Sequence, residues 1–109
     1  TFLELAGGQY PKKHKGEKIL PVEGKSLVGI LKGEKRAGHE QIAWEWSGNR
    51  ALRQGRGKVV WDKLDKKWSL FDLEADRTET NDLSAAHPAM VKRLANDWGD
   101  WARRTGLKR

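Results

Sequence analysis

Between residues 42 and 73 the apolar positions recur every second residue, and beyond residue 88 they recur every third and fourth. Ile42, Trp44 and Trp46 alternate with Ala43, Glu45 and Ser47, the period of a half-buried strand. Ser47-Gly48-Asn49 is a turn signal, and Arg50 to Gln54 suits a second strand. Gln54-Gly55-Arg56-Gly57 supplies the next turn, Lys58 to Asp62 a third strand and Lys66 to Leu73 a fourth, with Leu64-Asp65 near their connection. Connections this short between consecutive strands favour an antiparallel meander. Residues 74–86 read as an acidic loop. His87-Pro88 then opens a helix, because proline is pre-organised for the first helical position. Val91, Leu94, Ala95, Trp98, Trp101, Ala102 and Thr105 form one apolar stripe along it, and Gly106 is a natural stop. The pattern predicts an α+β fold: a small four-stranded antiparallel sheet packed by a C-terminal amphipathic helix, with Trp98 and Trp101 buried against the sheet.

The first part of the chain carries weaker signals. Phe2, Leu3, Leu5 and Ala6 would line one side of a short helix ended by Gly7-Gly8. Residues 9–24 hold Pro11, Pro21, Gly16 and several lysines and read as a loop or linker. Ser26 to Gly33 suits one or two helical turns stopped by the glycine, and residues 34–39 are polar.

The strand pattern has a consequence. On the fourth strand Trp68 and Leu70 point one way and Phe71 and Leu73 the other; on the third, Val59 and Trp61 oppose Val60. Both sheet faces are partly apolar, and one helix covers only one of them. The second face calls for a partner outside the sheet and helix, as in a subdomain docked on a larger body.

Composition sharpens this picture. The 109 residues allow one domain with a modest core. Six tryptophans supply much of its buriable area, since each aromatic can bury roughly 150–250 Å². The net charge of +7 suits a solvated basic surface or attraction to a polyanion, but the basic residues lie in three separate stretches (12–18, 50–67 and 103–109) rather than one stripe. With no cysteine, disulfides, thiolate metal sites and a cysteine nucleophile are excluded within this sequence. No apolar run is long enough to span a membrane and no signal peptide is evident. Thr1 to Gly8 looks like the end of a helix that began earlier, so a truncated fragment is expected.

Candidate chemistry is sparse. The acidic stretch from Asp72 to Asp82 lacks the sixth-position glycine and the ligand spacing of an EF-hand, and reads as turns and caps made by Asp and Asn. His14, His39 and His87 have no metal-type spacing. No Ser-His-Asp order and no phosphate-binding glycine loop stands out. Arg50, Arg53 and Arg56 with Trp44 and Trp46 could form a basic, aromatic surface for single-stranded nucleic acid, sugars or sulfate groups. The preferred reading places the tryptophans in the core and the arginines in solvent.

Several segments, in order, resemble the C-terminal subdomain of the arylsulfatase-type sulfatases of the alkaline phosphatase superfamily. Gly24-Lys25-Ser26-Leu27 is similar to that family's Gly-x-Ser-Leu element, followed by a Leu-x-Gly ending at Leu31-Lys32-Gly33. Trp44-Glu45 with Gly48-Asn49-Arg50-Ala51-Leu52-Arg53 resembles its Trp-Glu…Gly-Asn-Arg-Ala-x-Arg turn. Leu70-Phe71-Asp72-Leu73, then Asp76, Glu79, Asn81, Asp82 and Leu83, resemble its Leu-Tyr-Asp-Leu…Asp-x-x-Glu…Leu segment, and His87-Pro88 its terminal helix. Trp46-Ser47 stand where the family often has histidine, Gly57 where tryptophan is usual, and Arg77 where proline is common.

The resemblance implies that residues 1–24 are the end of an upstream helix and a linker from a catalytic domain, and that residues 25–109 are the subdomain. It implies sulfuric ester hydrolysis by the parent protein, with the formylglycine nucleophile and calcium in that missing domain; a Cys/Ser-x-Pro-x-Arg segment does not occur in this chain. No residue here is carried over as catalytic or metal-binding, and no cofactor is expected in this chain. Trp46, Asn49 and Arg50 are the candidates for substrate contact, with Arg53 beside them. The implied partners are the upstream catalytic domain and a sulfate ester, including sulfated glycans, with no membrane and no nucleic acid; the implied location is periplasmic or secreted. The alternative from the residues alone is a free-standing basic module that binds nucleic acid or another polyanion.

Overall fold

A computed structural model describes residues 1–107. By their contacts the residues fall into two compact units, Thr1–His39 and Glu40–Arg109.

In the first unit, helix α1 (Phe2–Leu5) is a single turn that buries none of its residues. Strands β1 (Lys13–His14) and β2 (Glu17–Lys18) form a small antiparallel hairpin inside the segment expected to be loop. Its turn, Lys15-Gly16, has positive φ at both positions (49° and 87°), which twists with the strands. No apolar alternation announces these strands, because all four strand residues are polar. Helix α2 (Val28–Leu31) ends at Gly33, which takes φ 84°. Residues 25–39 group with this unit rather than with the large sheet. Two hydrogen bonds help hold them: the Leu27 N–H donates to Thr1 Oγ1 at 2.9 Å and Lys25 Nζ to the Gly38 carbonyl at 2.7 Å.

The second unit is the predicted meander. Strands β3 (Gln41–Trp46), β4 (Asn49–Gln54), β5 (Gly57–Asp62) and β6 (Lys67–Asp72) pair antiparallel in sequence order. Ser47-Gly48 closes the first hairpin with φ 53° and 90°, and Gly55, at φ 58°, opens the second turn. The third turn is capped by Asp62, whose carboxylate accepts the Leu64 and Asp65 amides at 2.6 and 3.2 Å. Register places Ala43, Leu52, Val59 and Leu70 in one row across the sheet.

Helix α3 (Pro88–Arg104) lies on that row. Leu52, Val59, Leu70, Leu94, Trp98 and Ala102 form the buried core, with Val91 and Trp101 packed beside it as the stripe predicted. Met90 and Gly99 also face inward; they lie four residues before Leu94 and three before Ala102, on the same stripe, in addition to the residues expected there. At the helix end Gly106 turns to φ 75° and the Leu107 amide reaches back to the Ala102 carbonyl at 2.9 Å. Leu107 then packs on the core, the hydrophobic contact that accompanies such a cap.

One expectation is corrected. Ile42, Trp44 and Trp46 do not enter the core; Ala43, between them, faces it. Ile42, Trp44 and Trp46 are 41%, 45% and 77% exposed on the opposite face. Alternation marks two faces without saying which is covered, and α3 took the face on which Leu52, Val59 and Leu70 continue the row from Ala43.

The acidic loop is a set of caps, as read from its Asp and Asn residues. Asp72 accepts the Glu74 and Ala75 amides, and Asp76 accepts the Asn81 amide at 2.8 Å and both the Thr78 and Thr80 hydroxyls. Asp82 accepts the Leu70 and Ser84 amides at 3.0 and 2.9 Å, tying the loop to the buried end of β6. Desolvation works against ionisation of Asp82, but these bonds, with those from the Ser84 and Ser69 side chains, hold its carboxyl well below the usual carboxylate range. Asp72 is also lowered, chiefly by its bond from Arg56, and Asp76 by the Asn81 and Thr80 amides.

Two predictions follow from this packing. Trp98→Ala should destabilise the chain by about 3–5 kcal/mol, because it leaves a large cavity in the core; an unchanged urea midpoint would remove Trp98 from the core. The three lowered carboxyls give a sign for acid. Their stabilisation is present above the unfolded value of about 3.9 and is lost as pH falls toward the folded values. Urea midpoints measured from pH 7 down to about 2.5 should therefore fall below about pH 4–5. Asp82→Asn, which keeps an acceptor oxygen without the titration, should flatten that fall; an equal slope in the variant would assign the acid sensitivity elsewhere.

Candidate functional site

The uncovered face of the sheet is the most conspicuous surface of the second unit. Its edge strand β3 presents Ile42, Trp44 and Trp46 in one line, and the neighbouring strands add Ala51, Val60 and Phe71 on the same side. The edge is anchored from beneath: Trp98 Nε1 donates to the Trp44 carbonyl at 2.8 Å. Lys58, ion-paired with Glu79, lies over the Trp44 ring at 6.0 Å. The surface is therefore an apolar band crossed by a neutralised lysine.

The sequence-predicted site residues divide between the two faces. Trp46 and Asn49 are direct partners across the first hairpin. Asn49 Oδ1 accepts the Lys63 amide at 3.1 Å, and Lys63 Nζ donates to the Ser47 carbonyl at 3.3 Å, so the β5–β6 turn is laced to the β3–β4 turn. Trp46, Asn49 and Lys63 are thus gathered at one end of the sheet. Arg50 is not with them. It points to the helix side, where its guanidinium lies 4.8 Å from the Trp98 ring centre and 5.5 Å from that of Trp61. Arg53 stays exposed and donates to the Gly55 carbonyl at 2.9 Å. Arg56 grips Asp72 with both Nε and Nη2 and reaches Glu74 at 3.4 Å, which raises its pKa, first through the Asp72 hydrogen bond. A single surface made of all three arginines with Trp44 and Trp46 does not form. A strand reverses its side at every residue, so Arg50 and Arg53 must face apart.

Sequence reasoning missed the indole ladder. Trp61, Trp68, Trp98 and Trp101 stack in tilted pairs with centres 5.6, 6.3 and 6.1 Å apart. Register joins Trp61 to Trp68, but only α3 adds the other two. Among the described residues no three His, Cys, Asp or Glu side chains converge to hold a metal ion. His87 caps α3 through its carbonyl, which accepts the Met90 and Val91 amides at 3.1 Å. The basic residues remain scattered, and Lys108 and Arg109 of the third stretch lie outside the described residues. Among the described residues no helix is long and apolar enough to cross a membrane.

A cavity of about 200 Å³ opens beside the core, lined by Leu70, Phe71, Leu83 and Met90, with Arg56, Asp72 and His87 at its margin. Gly57 also lines it, and a Cβ there would come within 2.6 Å of Met90 Cε. The methionine end is flexible and has the cavity to turn into. Gly57→Ala should therefore raise stability by roughly 0.5–1 kcal/mol, the ordinary gain of alanine over glycine inside a strand. A lower melting midpoint in the variant would show Met90 to be fixed where it lies.

Comparison with known proteins gives a consistent picture. No family model matches the chain. An uncharacterized sulfatase of Schizosaccharomyces pombe is 29% identical over 98% of the chain, which corresponds to 20% of that protein. Among solved structures, a 2-O GAG sulfatase matches 98% of the chain with a TM-score of 0.74 and 22% identity, over 24% of its own length. A Bacteroides thetaiotaomicron protein assigned as a sulfatase matches 97% with a TM-score of 0.74 and 24% identity, again over 24% of its length. The chain spans about a fifth to a quarter of the relatives it matches. In sequence and in fold, this chain is similar to a sulfatase segment of the C-terminal subdomain type.

Proposed function

We propose that the chain is the C-terminal subdomain of a sulfatase, docked through the uncovered face of its sheet on an upstream catalytic domain of the same polypeptide. The observation that carries this reading is the exposed line Ile42, Trp44, Trp46 on a strand whose other side is packed. Two indoles and an isoleucine in a row on one sheet edge make a patch that favours burial against a partner. The similarity to one part of longer sulfatases supplies the kind of partner.

The parent protein would hydrolyse sulfate esters, with formylglycine and calcium supplied by the catalytic domain. The subdomain contributes position. Trp46 and Asn49, at the end of the sheet where Lys63, Lys66 and Lys67 also lie, would border the substrate entrance. An exposed indole beside lysines suits a sulfated glycan, through stacking on a sugar ring and attraction to its sulfates; one structural relative is a 2-O GAG sulfatase.

The test is the native polypeptide. It should be four to five times as long as this chain, as coverages of 20% and 24% require, and should carry a Cys/Ser-x-Pro-x-Arg segment upstream. The 109-residue chain alone should not turn over an aryl sulfate in the presence of calcium. In the long protein, Trp44→Asp should lower the yield of soluble enzyme, while the same change in the short chain leaves its melting midpoint nearly unmoved. A native product of the short chain's own length, with no such segment, would refute the proposal.

A further inference from the structure

The structure points to a second binding feature, on the helix side of the sheet and separate from Trp46 and Asn49: we infer that Arg50 anchors a site for an oxyanion, a sulfate or a carboxylate group. Arg53, Arg56, Arg93 and Arg103 each donate to an oxygen of the chain. Arg50 is different. Among the described residues its guanidinium has two ring contacts, Trp98 and Trp61, and neither a hydrogen bond nor an ion pair. Its cross-strand partner is a glutamate, Glu45, yet that carboxylate accepts the Gly48 amide at 2.8 Å and makes no ion pair with Arg50.

The donors of Arg50 are nevertheless within reach of solvent. The residue is half-buried, and none of its nitrogens is both enclosed and unpaired. The rings also hold the guanidinium in place. Trp98 is 2% exposed and pinned through its own N–H to the Trp44 carbonyl, and Trp61 leans on Trp68. A guanidinium held against aromatic faces keeps its in-plane N–H fork open, and that fork matches two oxygens of a carboxylate or sulfate. Because the clamp has already restricted the side chain, binding costs little further conformational entropy. A weakly hydrated cation fixed between indoles, with its natural counter-ion turned elsewhere, is a prepared anion receptor. The inference does not rest on the sulfatase reading: the same fork would accept the sulfate of a substrate or a carboxylate of another part of the protein.

The experiment is an NMR titration of the ¹⁵N-labelled chain with sodium sulfate and, separately, sodium acetate, each against sodium chloride at constant ionic strength. The expected result is a saturable shift of the Arg50 Nε–H and the Trp61 and Trp98 indole signals with sulfate or acetate. The anion with the lower midpoint identifies the source. Arg50→Lys, which keeps the charge and loses the fork, should raise the midpoint at least tenfold. Trp61→Leu, which leaves Arg50 but removes one ring of the clamp, should raise it several-fold and serves if the Arg50 variant does not fold. Shifts that are linear, spread over the surface lysines, or unchanged in a folded Arg50→Lys or Trp61→Leu chain would overturn the site.

Discussion

The indole of Trp98 joins three parts of the second unit. Its ring is buried in the core under the Leu52–Val59–Leu70 row. Its N–H donates to the carbonyl of Trp44 on the edge strand, so the helix fixes the outermost strand by a polar bond as well as by contact. Buried tryptophan needs such an acceptor. The same ring carries Arg50 on one side and stands between Trp68 and Trp101 in the ladder. Remove it and the core, the edge and the arginine lose their common support.

The fixed edge explains how β3 can present two tryptophans on its free face. A sheet edge with exposed apolar side chains invites pairing with another chain. Here Trp98 holds the Trp44 carbonyl, and the Gln41 side chain donates to Asp97 of α3 at 2.9 Å, so β3 is tied to the helix at two points. The outward apolar face suits face-to-face packing. This is the physical basis for reading the chain as one layer of a larger assembly. One helix covers one face, and the other is finished with aromatic side chains rather than charges.

The polar residues are mostly committed to architecture. The carboxylates of Asp62, Asp72, Asp76 and Asp82 cap turns, and those of Glu79 and Asp97 pair with Lys58 and Arg93. Arg50 stands out against that background because its charge is supported by rings and not by an acid.

Much was legible in the sequence. Period-two alternation, turn glycines, Pro88 and Gly106 determined four strands, their order and the long helix, with bounds within a residue or so, because these signals depend on neighbours in the chain. The caps of the acidic loop were legible for the same reason. The β1–β2 hairpin was not, since four polar residues have no face to show. Tertiary structure alone decided which side of the sheet is covered. Trp44 and Ala43 are equally good candidates for burial until α3 lands, and it lands on the Ala43 side, where Leu52, Val59 and Leu70 give Trp98 and Leu94 a continuous apolar row, while Ala51, Val60 and Ser69 lie in the row of Trp44. It also decided the fate of Arg50. The turn motif places Arg50 next to Asn49 in sequence, but the strand sends them to opposite faces, and the rings that hold Arg50 come from β5 and α3, eleven and forty-eight residues further along the chain.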